Sequence, residues 1–184
     1  MKVVVVGGTG LIGSKLVAKL GEHGHEAVAA APSTGVNTLT GEGLAEVLAG
    51  AQVVVDVSNS PSFEPAAVME FFEFVRAIAE EATDGDTVRI APVRFRPIAG
   101  EEVAQAVGRV AVGQPLNGRV EVGGPDDVRM DEFFRDALAA WGDPRTVVAD
   151  PQARYYGSVP GERTLVPGAD AILGTIHYHD WLGK

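Results

Sequence analysis

Lys2 to Val6 opens the chain with four consecutive valines, a run that leaves no polar face and therefore predicts a strand buried on both sides. Leu11, Leu16, Val17 and Leu20 follow at helical spacing, with Gly21 and Gly24 as stop signals, so a helix is expected over 11–20. Glu26 to Ala31 reads as a second, weaker strand closed by Pro32. Gly43 to Leu48 reads as a short helix ended by Gly50, and Gln52 to Val57 as a third apolar strand. Strand, helix, strand, helix, strand within 57 residues is the grammar of a parallel sheet with right-handed crossovers.

Val68, Phe71, Phe72, Val75, Ile78, Ala79 and Ala82 then form one apolar stripe at spacings of three and four. The spacing predicts a single long helix, capped by Ser62, tolerating Pro65 in its first turn and ended by Gly85. Beyond it the pattern changes. Thr87 to Ile90 and Phe95 to Ile98 are short strand candidates broken by Pro92 and Pro97. Glu101 to Val112 is a helix with Val103, Ala106, Val107 and Val110 inward, Gly118 to Val122 a strand, and Met130 to Trp141 an amphipathic helix. From Gly142 the chain is rich in Pro and Gly, with short segments expected. The predicted fold is α/β: a shortened Rossmann-like parallel sheet over residues 1–84, followed by a small α/β C-terminal lobe over 85–184.

Composition narrows what such a fold can do. The 184 residues are 46% apolar and 22% charged, an ordinary globular balance. A formal charge of -10, with no basic stripe, argues against a nucleic-acid partner. No cysteine is present, which removes thiolate catalysis and cysteine metal sites. The apolar start is too short for a membrane span or signal core, so a cytoplasmic protein without a membrane partner is expected.

Chemistry concentrates at Gly7-Gly8-Thr9-Gly10-Leu11-Ile12-Gly13, between the first strand and first helix. In a dinucleotide site Gly7 permits the tight turn, Gly10 lets a pyrophosphate approach the backbone, and Gly13 lets the helix lie close to the sheet. The helix N-terminus offers unpaired N–H groups and partial positive charge. Gly7, Thr9, Gly10, Leu11, Ile12 and Gly13 are the cofactor-binding candidates here. The second strand ends Ala29-Ala30-Ala31-Pro32-Ser33-Thr34 without the carboxylate that would bind NAD ribose hydroxyls. Its absence leans the choice from NAD toward NADP, with Ser33 and Thr34 as donors to a 2′-phosphate; the same two residues also suit an ordinary turn. Ser58 and Asn59, after Asp56, lie at the ligand side of the third strand, where either a ribose contact or a helix cap is open. His177-Tyr178-His179-Asp180 lacks a third ligand, and no metal site is expected. Arg94, Phe95 and Arg96, like Tyr155 and Tyr156, serve either as pocket lining or as packing.

GGTGLIG after a valine strand, followed by LTGEGLAEVLAGAQVVVDVSN, resembles the NAD(P)-binding half of NmrA-like atypical short-chain dehydrogenases/reductases. RPIAGEEVAQAVGRVAVG and then GRVEVGGPDDVRMDEFFRDAL resembles the C-terminal lobe of that family. The resemblance implies a dinucleotide cofactor, a small-molecule substrate and oxidoreductase descent. It also exposes a departure. The family's Tyr-x-x-x-Lys has no counterpart, because Tyr155, Tyr156 and Tyr178 are followed four residues later by Val159, Pro160 and Leu182. SFEPAAVMEFF resembles the helix after the family's fourth strand, and FFEFVRAIAEEATDGDTVRI the entry to its C-terminal lobe. Between them about two strand–helix units of ~30 residues each are missing, with the join inside 70–74. No catalytic residue is assigned: the expectation is a dinucleotide-binding or sensing protein, with an oxidoreductase using another proton source as the alternative. Such a sheet would leave the strand at Val53 to Val57 as an apolar edge, to be covered either by the strand at Arg119 to Val122 or by a second subunit.

Overall fold

The computed structural model describes residues 1–58 and 71–183. In chain order the elements are β1 (Lys2–Val6), α1 (Leu11–Glu22), β2 (Glu26–Ala30), α2 (Leu44–Leu48), β3 (Val53–Asp56), α3 (Val75–Glu81), β4 (Thr83–Asp84), β5 (Thr87–Ile90) and β6 (Arg94–Phe95). They continue with α4 (Gly100–Val112), β7 (Val122–Gly123), β8 (Val128–Arg129), α5 (Met130–Ala140), β9 (Thr146–Ala149), β10 (Ile172–Leu173) and α6 (Tyr178–Leu182). The chain divides into two compact units, Met1–Pro61 with Gly100–Arg119, and Ser62–Ala99 with Val120–Lys184. The 84/85 division drawn from the sequence differs from these units in two places: 62–84 falls in the second, and the segment carrying α4 in the first.

The first unit is built on a three-stranded parallel sheet of order β2-β1-β3, with Val6 opposite Ala30 on one side and Asp56 on the other. Four valines in a row are explained by their alternation. Val3 and Val5 point into a core with Leu16 and Leu20 of α1 and Ala104 of α4, while Val4 and Val6 point to the opposite face, toward Leu44, Val47 and Leu48 of α2. Val3, Val4 and Val5 are fully buried, each contributing on the order of 1.5–3 kcal/mol of apolar burial. α4 runs as predicted, with Ala106 and Val107 inward as expected; Ala104 is buried beside them and Val110 is exposed. Small residues face α1 because the approach is close, with Gly108 sitting where a Cβ would lie 3.3 Å from Leu16 Cδ1.

In the second unit, α5 presents Phe133, Phe134, Ala137 and Leu138 to a core shared with Phe72, Val75, Val88 and Tyr178. Phe133 is its hub, with ring centroids 5.1 Å from Phe95 and 4.8 Å from Tyr178. β5 pairs antiparallel with β4 and parallel with β9, a strand not foreseen in the Pro/Gly-rich tail.

Three expectations are corrected. The single long helix does not reach back through Phe71, which is extended (φ -84°, ψ 140°) and bridges Ile98. Phe72 N–H bonds to the Ile98 carbonyl (3.1 Å), and the chain makes a 3-10 turn, Phe72–Phe74, before α3 begins. An isolated bridge to a residue distant in sequence has overridden helical periodicity there, inside the 70–74 stretch where the resemblance put the join. α3 gives way at Ala82, and Gly85 (φ +61°) turns the β4–β5 hairpin instead of ending a helix. The proposed cap Ser62 and the first-turn Pro65 lie outside the described residues. Finally, the strand foreseen over 118–122 is only Val122–Gly123. It pairs with β10 and not with β3, so of the two covers foreseen for the β3 edge, this one is withdrawn.

Candidate functional site

The chain leaves β1 toward one side to form β2 and returns on the other side to form β3. The C-terminal end of β1 is therefore the switch point of the sheet, the usual ligand crevice of open α/β folds. Gly7 through Gly13 occupy it. Gly7 takes φ +77°, a left-handed conformation, and a Cβ there would lie 2.8 Å from the Ser58 backbone. At Gly13 a Cβ would meet the Gly7 carbonyl oxygen at 2.1 Å, so α1 can pack this close only without a side chain. Gly8 was not singled out from the sequence, yet its Cβ would lie 2.7 Å from Ala29 Cα and the Val5 oxygen. The second glycine of a pair reads locally as redundancy; only the proximity of β2 gives it a purpose.

Gly10 differs from these three. Its φ of -77° suits any residue, and among the described residues a Cβ would meet only the Gly7 oxygen, at 3.3 Å. Gly10 is the N-cap of α1 and has no side chain to cap it. The first helical bond comes from Ser14 N–H to the Gly10 carbonyl, leaving the N–H groups of Leu11, Ile12 and Gly13 in the uncapped first turn. Their orientation and partial positive charge suit a pyrophosphate.

The flanking candidates separate into two kinds. Thr34 Oγ1 accepts the Ala31 N–H (2.9 Å) and contacts the Ala31 and Ala29 carbonyls at 2.9 and 3.1 Å. It holds together the 3-10 turn Pro32–Thr34 that follows β2. Ser33 is exposed, and its hydroxyl lies 3.4 Å from that of Thr9, so these two donors meet beside the glycine turn. Ser58 gives both its N–H (2.9 Å) and its hydroxyl (2.6 Å) to Asp56 Oδ1, fixing the turn after β3 against Gly7. Asn59 lies outside the described residues.

The tyrosines are all in the second unit. Tyr155 is buried, and with Tyr156 it lines a cleft of about 390 Å³ whose floor includes Ile78, Ile90 and Met130. The Tyr178 hydroxyl donates to Asp136 Oδ2 at 2.9 Å; burial first, then this bond, push the phenol far above its ordinary range. His177 Nδ1 sits 2.7 Å from Asp126 Oδ1, and the His179 ring packs on Tyr178 with centroids 3.8 Å apart. Among the described residues no three ligating side chains cluster, and no helix is long and apolar enough to cross a membrane.

Residues 3–91 match the model of the NAD dependent epimerase/dehydratase family, a span just under half of the chain. Among solved structures the chain is similar to UDP-N-acetylglucosamine 4-epimerase from Bacillus cereus, at 12% identity and TM-score 0.58, with 84% of this chain and 86% of that chain covered. Comparison with curated proteins gives no match. Fold, glycine turn and family match agree: the chain has a Rossmann-type α/β fold and is similar to the NAD(P)-binding, short-chain dehydrogenase/reductase-like superfamily.

Proposed function

We propose that the chain is an NmrA-like member of this superfamily that binds NADP(H) in preference to NAD(H) and lacks a Tyr/Lys proton relay. One observation carries the binding reading. Gly7, Gly8 and Gly13 are demanded by the protein's own backbone, whereas Gly10 has an ordinary φ and, among the described residues, one neighbour, at 3.3 Å. The glycine that packing constrains least, at the mouth of an uncapped helix, keeps space for a phosphate group. The N–H groups of Leu11 to Gly13 would hold the pyrophosphate, and the hydroxyls of Ser33 and Thr9 would face the 2′-position. When bound, the nicotinamide supplies hydride exchange. The NADP preference rests on the carboxylate-free end of β2, which offers nothing to repel a 2′-phosphate.

The sequence contains no Tyr-x-x-x-Lys to supply the classical proton donor. Lys2 bonds the Ala49 carbonyl and Lys19 pairs with Glu101, so neither accompanies a tyrosine. Tyr178 shares its proton with Asp136. A positioned general acid is worth about 10²–10⁴-fold in rate, which favours a binding or sensing role over efficient turnover.

Fluorescence titration with NADPH and NADH tests this. Saturable binding, tighter for NADPH and abolished in Gly10→Val, is the expected result. Equal affinity would remove the NADP preference, and absence of binding would remove the proposal. Rapid oxidation of NADPH by quinones or aldehydes would replace the sensing role with an oxidoreductase that draws its proton elsewhere.

A further inference from the structure

The second unit contains a charge arrangement unrelated to the glycine cradle. In a chain of net charge -10, three guanidinium groups, Arg94, Arg163 and Arg96, act on one carboxylate, Asp127, and hold its pKa below the ordinary value against the opposing effect of its burial. Arg94 Nε meets Asp127 Oδ1 at 2.6 Å and Arg163 Nη2 meets Oδ2 at 3.6 Å. Arg96 is left over: it forms no ion pair among the described residues.

What holds Arg96 is backbone. Its Nη1 donates to the carbonyls of Gly124 (3.2 Å) and Pro125 (2.9 Å). The Gly-Gly-Pro run makes this possible. A Cβ on Gly124 would stand 1.7 Å from the Pro97 oxygen, and one on Gly123 would stand 3.4 Å from Arg96 Cβ and 2.8 Å from Pro167 Cγ. Two glycines thus bring the 123–125 backbone against the arginine. The anchoring uses one nitrogen of the guanidinium, while Nε and Nη2 have no protein partner among the described residues. A half-buried guanidinium whose unused donors face a cleft is placed to receive an oxyanion there.

Arg96 and Arg163 line a cleft of about 250 Å³ whose other walls are apolar, chiefly Val166, Pro167 and Leu173. Leu173 is 46% exposed. The carboxylate at the edge, Glu121, is engaged by the Gly168 N–H at 2.9 Å. With Asp127 and Glu121 counted against three arginines, the site keeps a positive charge. We propose that this cleft binds a small organic anion, a carboxylate or phosphate on a compact apolar body. The free edge of Arg96 takes the oxyanion, Arg163 supplies the second cation, and the apolar walls take the remainder. Guanidinium forks suit both oxyanions bidentately. The volume falls below the roughly 300–1,000 Å³ of drug-sized pockets, so the ligand is fragment-sized.

Isothermal titration of the full chain in low-salt, phosphate-free buffer tests the site, with inorganic phosphate, acetate and isovalerate as probes and chloride at matched ionic strength as control. No dinucleotide is added, and the Arg96 and Arg163 variants separate binding in this cleft from phosphate taken up at the glycine turn. Saturable binding of phosphate or of isovalerate is expected, weakened roughly tenfold or more in Arg96→Gln and in Arg163→Gln. Isovalerate binding more tightly than acetate assigns a carboxylate on an apolar body; phosphate alone saturating assigns a phosphoryl group. Arg163 is 61% exposed, so its variant decides the matter if Arg96→Gln fails to fold by circular dichroism. No saturation by any probe, or unchanged affinity in the folded variants, overturns the proposal.

Discussion

Two glycines of α1 carry opposite predictions for the same substitution. Gly13 and Gly21 both lie within the helix, so replacing either with Ala gains the same backbone preference, about 0.5–1 kcal/mol. At Gly21 nothing lies within 4 Å of the new Cβ, and that gain should appear undiminished. At Gly13 the Cβ would fall 2.1 Å from the Gly7 oxygen and 2.7 Å from Gly8 Cα. Both obstacles are backbone, so no rotamer change relieves them, and α1 must move off β1 or the turn must open. Overpacking of this kind costs about 3 kcal/mol, leaving a net loss near 2 kcal/mol after the helical gain. At roughly 2–4 °C per kcal/mol for a chain of this size, Gly13→Ala should lower Tm by about 4–8 °C, and Gly21→Ala should raise it by about 1–4 °C. Thermal melts followed by circular dichroism measure both. If Gly13→Ala melts at or above the wild type, α1 does not pack on the glycine turn as described, and the argument for the cradle fails with it.

The hydroxyls after β2 should separate by role: Thr34→Ala loses a cap worth about 1 kcal/mol and lowers Tm with NADPH affinity unchanged. Ser33→Ala should leave Tm alone and weaken NADPH, not NADH, roughly tenfold; the reverse pattern would exchange the two assignments. Asp143 accepts the Arg145 side chain at Nε (2.9 Å) and Nη2 (2.6 Å), and chiefly for this reason its carboxyl is lowered to about 2. A depressed folded-state pKa means stabilisation that is complete above the ordinary carboxyl range and lost as pH falls through the folded value. The Tm gap between wild type and Asp143→Asn should therefore hold down to about pH 4 and close toward about pH 2; a gap independent of pH would contradict the pairing. The described sheet leaves β3 at its edge with Val54 53% exposed, and we propose that a second copy covers it. Light scattering should then report a dimer that Val54→Lys dissociates, whereas a monomeric wild type would rule the cover out.

Much of the first unit was legible because its determinants are contiguous. Lys2 to Val6, the turn to Gly13 and the helix after it follow one another within about twenty residues, and the requirement at Gly7 and Gly13 is a property of that turn. Ser33 and Thr34 were legible as a pair but not as individuals, since which hydroxyl caps the turn depends on where the Ala29 and Ala31 carbonyls come to lie. β9 was missed because Thr146–Ala149 is four residues between Pro144 and Pro151, too short for periodicity to register; pairing with β5 makes it a strand.

The sequence by itself determined the αβ alternation, the glycine turn after β1, the missing acid after β2 and the want of a Tyr-x-x-x-Lys, all matters of residue type at short spacing. Tertiary structure decided that Phe71 is extended, that α4 serves the first unit, and that Gly123 and Gly124 exist to hold Arg96. Each depends on contacts between residues 25 or more apart in the chain. Local preference, worth less than one kcal/mol per residue, yields there to packing and pairing that no short window of sequence contains.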